Sequence, residues 1–365
     1  MNIEPKKVLL QVCKAIRKTT LMDRLLEITD PTFCAEKSKS PYDKICLKLI
    51  RDERDLPLVR LVFFLTATFP PAALWLLCHP VFNGWLAVPY LSTLLLVYTG
   101  PFTLLLHNSS HRPLFKSGHY LLGGLINWVL GPLFGQTPNT YFAHHIGMHH
   151  PENNLRRDLS STLPYQRDSR VDFARYVGRF MLLGIVDLSL YLKRKNRSRL
   201  LMRAMFGELS YFIIVTILLI FNWRATAVVF VIPWVVMRFG MMAGNWAQHA
   251  FVDPLAPENY FRNSITCINS SYNHKCFNDG YHIGHHVKSN RHWTEMPIDF
   301  QQNLESYRSE GAIVFRRTDF FGIWFALMLK RYNWLAARFV DLGGDTSREA
   351  IISLLKYRLQ RINLG

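Results

Sequence analysis

Two pairs of long apolar runs constrain this chain more than any other feature. The first pair covers about Leu58 to Cys78 and about Leu86 to Leu106; the second covers about Phe206 to Phe221 and about Ala225 to Ala243. Each approaches the ~20 residues that a helix needs to cross a bilayer core. Pro70 and Pro71 lie inside the first run and should kink it, which lipid-embedded helices tolerate. The short loop HPVFNG joins the first pair, and the tight turn NWR joins the second. Trp85 and Trp223 fall at these turns, where an aromatic belt is expected. The pattern predicts an all-α integral membrane protein with two transmembrane helical hairpins, hence four spans. Residues 58–300 would form the membrane domain, between a charged amphipathic segment (1–57) and an interfacial C-terminal segment (301–365). A further apolar stretch, 320–329, is too short to span and also reads as interfacial.

Two more apolar stretches, 120–135 and 180–192, are shorter, and glycines break the first. Such lengths fit interfacial or re-entrant segments better than spans.

Potential metal ligands cluster beside these runs. His107 and His111 stand in HNSSH; His145, His149 and His150 in HHIGMHH; Asn245 and His249 in NWAQH; His282, His285 and His286 in HIGHH. Neutral imidazole is the commonest metal ligand. One ion takes about four to six ligands, so nine histidines suggest two ions. Four-residue spacing puts two side chains on one helix face. It relates His107 to His111, His145 to His149, Asn245 to His249 and His282 to His286. One such pair is weak evidence; four on one predicted membrane face are not coincidental. His144 competes with His145, and the less favourable helical angle to His149 favours His145. Asn245 reads equally well as a ligand or as a packing residue. Asp253, Asp279 and Glu152 lie close enough to accept imidazole N–H bonds, or to be solvated loop charges. His79 sits at a far turn, and His119, His274 and His292 stand alone.

Topology and charge agree. If both hairpins cross and 120–135 does not, all four clusters share one side. The basic stretches (1–60, 156–203 and 288–335) share it too, which the positive-inside rule makes cytosolic, with both termini there. The formal net charge of +17 therefore reads as loops facing anionic headgroups, not as a nucleic-acid surface. Six cysteines without a CxxC pair suggest reduced thiols. The N-terminus has no apolar core of a secretory signal.

HNSSH, HHIGMHH, NWAQHAFVDP and NDGYHIGHH together resemble the histidine boxes of the membrane fatty acid desaturases, in order, spacing and hairpin layout. The second box differs in having three residues, not two, between its first His and its HH pair. The resemblance implies an iron cofactor: a di-iron centre held by His107, His111, His145, His149, His150, Asn245, His249, His282, His285 and His286. It implies a fatty acyl desaturase that uses dioxygen and two electrons to place a cis double bond in an acyl lipid or acyl thioester. No haem-binding HPGG element is present, so an external electron donor such as cytochrome b5 or ferredoxin is expected. The endoplasmic reticulum is the expected membrane for a eukaryotic source. Histidine boxes alone do not separate desaturation from hydroxylation. A non-catalytic lipid-binding protein with a structural metal site is disfavoured, because closed structural zinc sites need four ligands and are often thiolate-rich.

Overall fold

The computed structural model describes residues 27–35 and 38–363. The expected amphipathic character of residues 1–26, and Cys13 with it, lies outside them. The chain is mostly helical, and three of its described helices are long and apolar enough to cross a membrane.

Helix α1 (Pro41–Leu49) opens the described helical region with a capping box between Ser40 and Asp43. Helix α2 (Leu56–Cys78) and helix α3 (Gly84–His111) are the arms of the first apolar pair. Pro70 and Pro71 lie inside α2 without ending it. Segment α4 (120–133) is helical through a π-turn at Leu125–Leu130. It lies along α2, and Phe134 just beyond it packs against Phe69 and stacks on Phe102. Segment α5 (140–152) contains the second histidine box, and helix α6 (Arg170–Arg194) follows. The apolar stretch 180–192 is thus part of a longer amphipathic helix with arginines at its start.

The second apolar pair is one long element, α7 (Ser198–Gln248), broken at Asn222. Asn222 is non-helical (φ −149°, ψ 78°). The last carbonyls of a helix have no partner within it. Asn222 Nδ2 donates to the Leu76 and Leu77 carbonyls at the end of α2, while its Oδ1 accepts from Ala225 N. One side chain therefore closes α2 and starts the returning arm of α7. The two predicted turns consequently sit side by side. Facing outward on these helices are apolar side chains such as Leu74, Leu96, Ile213 and Ile220.

The turn after α4 enters this bundle. Gly135 has φ +80°, and a Cβ there would stand 2.2 Å from the Pro233 carbonyl oxygen. A Cβ on Gly207 would stand 1.8 Å from the Pro138 carbonyl oxygen. Both glycines are required because backbone meets backbone at those points. The turn's polar groups are satisfied inside the bundle: Thr137 Oγ1 donates to Glu208 Oε1 (2.5 Å), which also pairs with Arg238 Nη2 (2.9 Å). The segment 120–135 is thus packed into the bundle through the turn that follows it.

A second core lies at the histidine-bearing end, with Trp246, Phe251, Cys267, Phe315, Phe320 and Leu327 buried together. Strands β1 (Ile265–Ile268) and β2 (Ile313–Arg316) pair in parallel there. Parallel strands need a long crossover, and this one carries helix α8 (His282–Val287), the last histidine box. Residues beyond 300 therefore belong to the same body: β2 completes the pair, and α9 (Phe320–Met328) packs on the end of α7. The fully buried Arg167 ties the layers together. Its guanidinium donates to carbonyls of Ala250 (2.7 Å), Tyr165 (3.1 Å), Arg358 (2.8 Å) and Gln360. It joins the segment after the third cluster to α10 (Arg348–Arg358). The five described cysteines are free thiols.

Candidate metal centre

Two groups of imidazoles form at the junction of these elements. His107, His111, His145 and His285 make one; His149, His249, His282 and His286 make the other. In each, one nitrogen per ring lies within 4.8 Å of all the others. His150 joins the first group, with Nε2 3.1 Å from His145 Nε2 and 3.0 Å from His285 Nε2. His107 Nε2 is 3.0 Å from His285 Nε2, and His111 Nε2 is 3.0 Å from His145 Nε2. In the second group His282 Nε2 lies 3.0 Å from His286 Nε2 and 3.3 Å from His249 Nε2. The groups abut, with the His150 and His286 ring centres 5.1 Å apart.

The second box corrects one expectation. His145 and His149 do not aim at one point; they belong to different groups. The reason is local geometry: His145–His149 is a π-turn. In a π-helix the hydrogen bond runs to the fifth residue, so i and i+5 align. His145 therefore converges with His150, and His149 is free to face the other group. The three-residue spacing that sets this box apart supplies that register. His144 lies in neither group; its ring stands edge-on to Phe180. The four-residue expectation holds for His107 with His111 and for His282 with His286.

The donor set fits two metal ions. Two rings have their outer nitrogens fixed, which sets which nitrogen faces inward. His149 Nδ1 donates to Asp158 Oδ2 (2.7 Å), and His249 Nδ1 donates to the Asn263 carbonyl (2.9 Å). Both bonds leave Nε2 as the inward lone pair. Burial depresses the basicity of His145, His282, His285 and His286, and takes His249 to about 4. These rings are neutral at ordinary pH, which is the ligating form. Asp158 stays ionised despite complete burial: His149, the Ser160 hydroxyl and backbone N–H groups hold its pKa well down.

The remaining candidates divide. Asn245 faces the site from α7, but its amide nitrogen donates to the Ser160 carbonyl (2.9 Å) and to Tyr176 Oη (2.7 Å). Asp279 Oδ1 lies 3.7 Å from His107 Nδ1, and burial raises its pKa to about 6. Asp253 instead pairs with Arg262 and Arg358, and Glu152 with Lys195 and the Tyr191 hydroxyl. His79 is at the far turn, His119 and His274 are exposed, and His292 is buried against Asp55 (2.9 Å). Sequence reading missed Asp158 and Asn263. They lie nine and fourteen residues beyond the rings they orient, Asp158 in a loop and Asn263 at the end of the four-residue helix Tyr260–Asn263, both too short for any periodicity.

Beneath the imidazoles lies a cavity of about 180 Å³, lined by α3, α5, α6, α7 and Phe320 and Phe321 of α9. His107, His145, His149 and His282 form part of its wall. Leu104, Ile185, Leu188, Met237 and Met242 make most of its length apolar.

Residues 83–318, well over half of the chain, match the fatty acid desaturase family model. The chain belongs to the fatty acid desaturase family. Membership makes it a membrane oxidoreductase of the desaturase or hydroxylase type, a class whose centres are generally di-iron and whose substrates are lipids. No curated protein and no solved structure matches the chain.

Proposed function

We propose that this protein is an acyl desaturase that forms a cis double bond in a fatty acyl chain, spending dioxygen and two electrons from a separate donor protein. The observation that carries this reading is an apolar cavity running directly onto two adjoining imidazole groups. His107, His111, His145, His150 and His285 would hold one iron. His149, His249, His282 and His286 would hold the other, with Asn245 beside it. Bound iron would supply the oxygen activation that methylene oxidation requires.

The chain's own residues provide geometry. Methylenes are chemically near-identical, so the reacting carbon is chosen by position alone. Leu104 and Met242 line the cavity and would help hold a chain in it; Asp158 and Asn263 fix the ring orientations; the surrounding core excludes water. The reading includes two hairpins that each cross the bilayer, with both termini and all histidine boxes cytosolic. The side-by-side far turns, joined through Asn222, support it.

Expression in a host that cannot make unsaturated lipids, followed by double-bond mapping of its lipids, tests the proposal. A new double bond at one position is the expected result. A hydroxylated product in its place would assign the same site to hydroxylation.

A further inference from the structure

The cavity has one wall that an unmodified hydrocarbon chain does not need. Thr140 and His144 are four residues apart on α5, hence on the same face, and both line the cavity. Thr140 Oγ1 and His144 Nε2 are buried, and neither has a hydrogen-bond partner. Arg238 lines the same cavity from α7. Its guanidinium stands over the Phe180 and Trp234 rings and gives Nη2 to Glu208. Phe180 also receives the edge of the His144 ring. One ring thus brings an imidazole nitrogen and a guanidinium to the same stretch of wall. Arg238 lies eleven residues before His249, roughly 16 Å along the helix, so this stretch is well inside the bundle.

Buried polar atoms are normally paired, and unpaired ones need a reason. An ionisable residue at membrane depth marks a functional site by default. The Glu208 pair explains why Arg238 is tolerated; it does not explain two orphaned atoms facing the same cavity. We infer that Thr140, His144 and Arg238 form a subsite for an oxygen function on the substrate chain, a hydroxyl or a carbonyl, so that the preferred substrate is an oxygenated acyl chain. Arg238 offers N–H donors to the oxygen, Thr140 serves as donor or acceptor, and His144 takes the hydroxyl hydrogen or donates to a carbonyl. The inference rests on the proposed function for the location of the reacting end, and it adds the substrate class.

The test is a competition. Purified full-length protein in lipid nanodiscs is offered an equimolar mixture of a straight-chain acyl ester and its positional hydroxy and oxo isomers, and bound lipid is read by native mass spectrometry. Retention of one isomer at least roughly tenfold above the plain chain is expected, since a site built to bond a polar group rejects the analogue lacking it. Thr140→Val and His144→Phe should each cut that ratio, and the double variant should remove it; melting temperature and metal content report whether each variant is folded. Equal or better retention of the plain chain by the unmodified protein would overturn the inference, as would a ratio unchanged in the folded double variant. Double-bond formation is scored in parallel samples of the iron-loaded protein supplied with dioxygen and a reducing electron-donor system. Selective binding without a double bond would leave this subsite standing and remove the desaturase reading; desaturation of the plain chain without selectivity would do the reverse.

Discussion

His145 and His150 bring their Nε2 atoms within 3.1 Å of each other, five residues apart, while His149 between them turns to the neighbouring imidazole group. A π-turn makes this split possible. In an α-helical second box His145 and His149 would share one face and aim at one point. One short segment thereby feeds two sites, and the two groups are forced to be neighbours.

The first prediction follows from that split. Purified protein should carry about two irons per chain, by the usual ligand count per ion. His145→Ala removes a nitrogen from the first group and should reduce the content to about one. His144→Ala removes none and should leave the content intact. Metal analysis of both variants decides it, and equal losses would contradict the assignment.

Asp158 carries the second prediction. Its carboxylate is fully buried and accepts from His149 Nδ1, the Ser160 hydroxyl and the Asn154 N–H. Loss of such an outer partner typically lowers metal affinity by about 10–100-fold. Asp158→Asn should show a loss of that size in chelator competition, with helix content retained. Asp253→Asn should show none, because Asp253 bonds arginines and touches no imidazole.

Much of this site was legible in the sequence, and the limits have physical causes. The apolar runs announced the long helices because span length and composition are local properties. The HxxxH spacing placed His107 with His111 and His282 with His286, since both segments are helical in the ordinary register. It misplaced His149, because a π-turn leaves no mark in hydrophobic periodicity. The pairing of β1 with β2 was hidden for another reason. Each strand has four residues, and their alignment is set by a crossover that runs from Ile268 to Ile313, which stands opposite Ile265. The same holds for the cavity's polar wall, which draws on α5 and α7 at once.

A third prediction concerns the buried pair inside the bundle. Glu208 and Arg238 side chains are only 4% and 8% exposed. Removing one partner of such a pair typically costs about 3–5 kcal/mol, because the other charge is left uncompensated. Glu208→Leu should therefore lower the melting temperature sharply in detergent. Glu208→Gln keeps an acceptor for Thr137 and for Arg238 and should lose less. A Leu variant as stable as the unmodified protein would mean that the pair does not hold the 135–140 turn in place.

Gly207 gives a sharper test of that turn. A methyl there meets the Pro138 carbonyl oxygen at 1.8 Å, and neither backbone can yield without moving α7 or the turn. Overpacking of this kind costs about 1–3 kcal/mol or more. Gly207→Ala should reduce the folded yield and the melting temperature, while Gly84→Ala, with nothing within 4 Å, should change neither.

The last prediction concerns sidedness. The two far turns lie together through Asn222, and the imidazole groups sit at the opposite ends of α3 and α7. Cys78, exposed at the end of α2, belongs to the far turns. Lys116 lies beyond His111, and Gln166 lies in the loop between α5 and α6. In a background without other accessible thiols, cysteines placed at 116 and 166 should react with a membrane-impermeant reagent from the same side, and Cys78 from the opposite side. Labelling of 116 and 166 from opposite sides would require the 120–135 segment to cross the bilayer. The first and second histidine boxes would then be separated by the membrane and could not form the groups described.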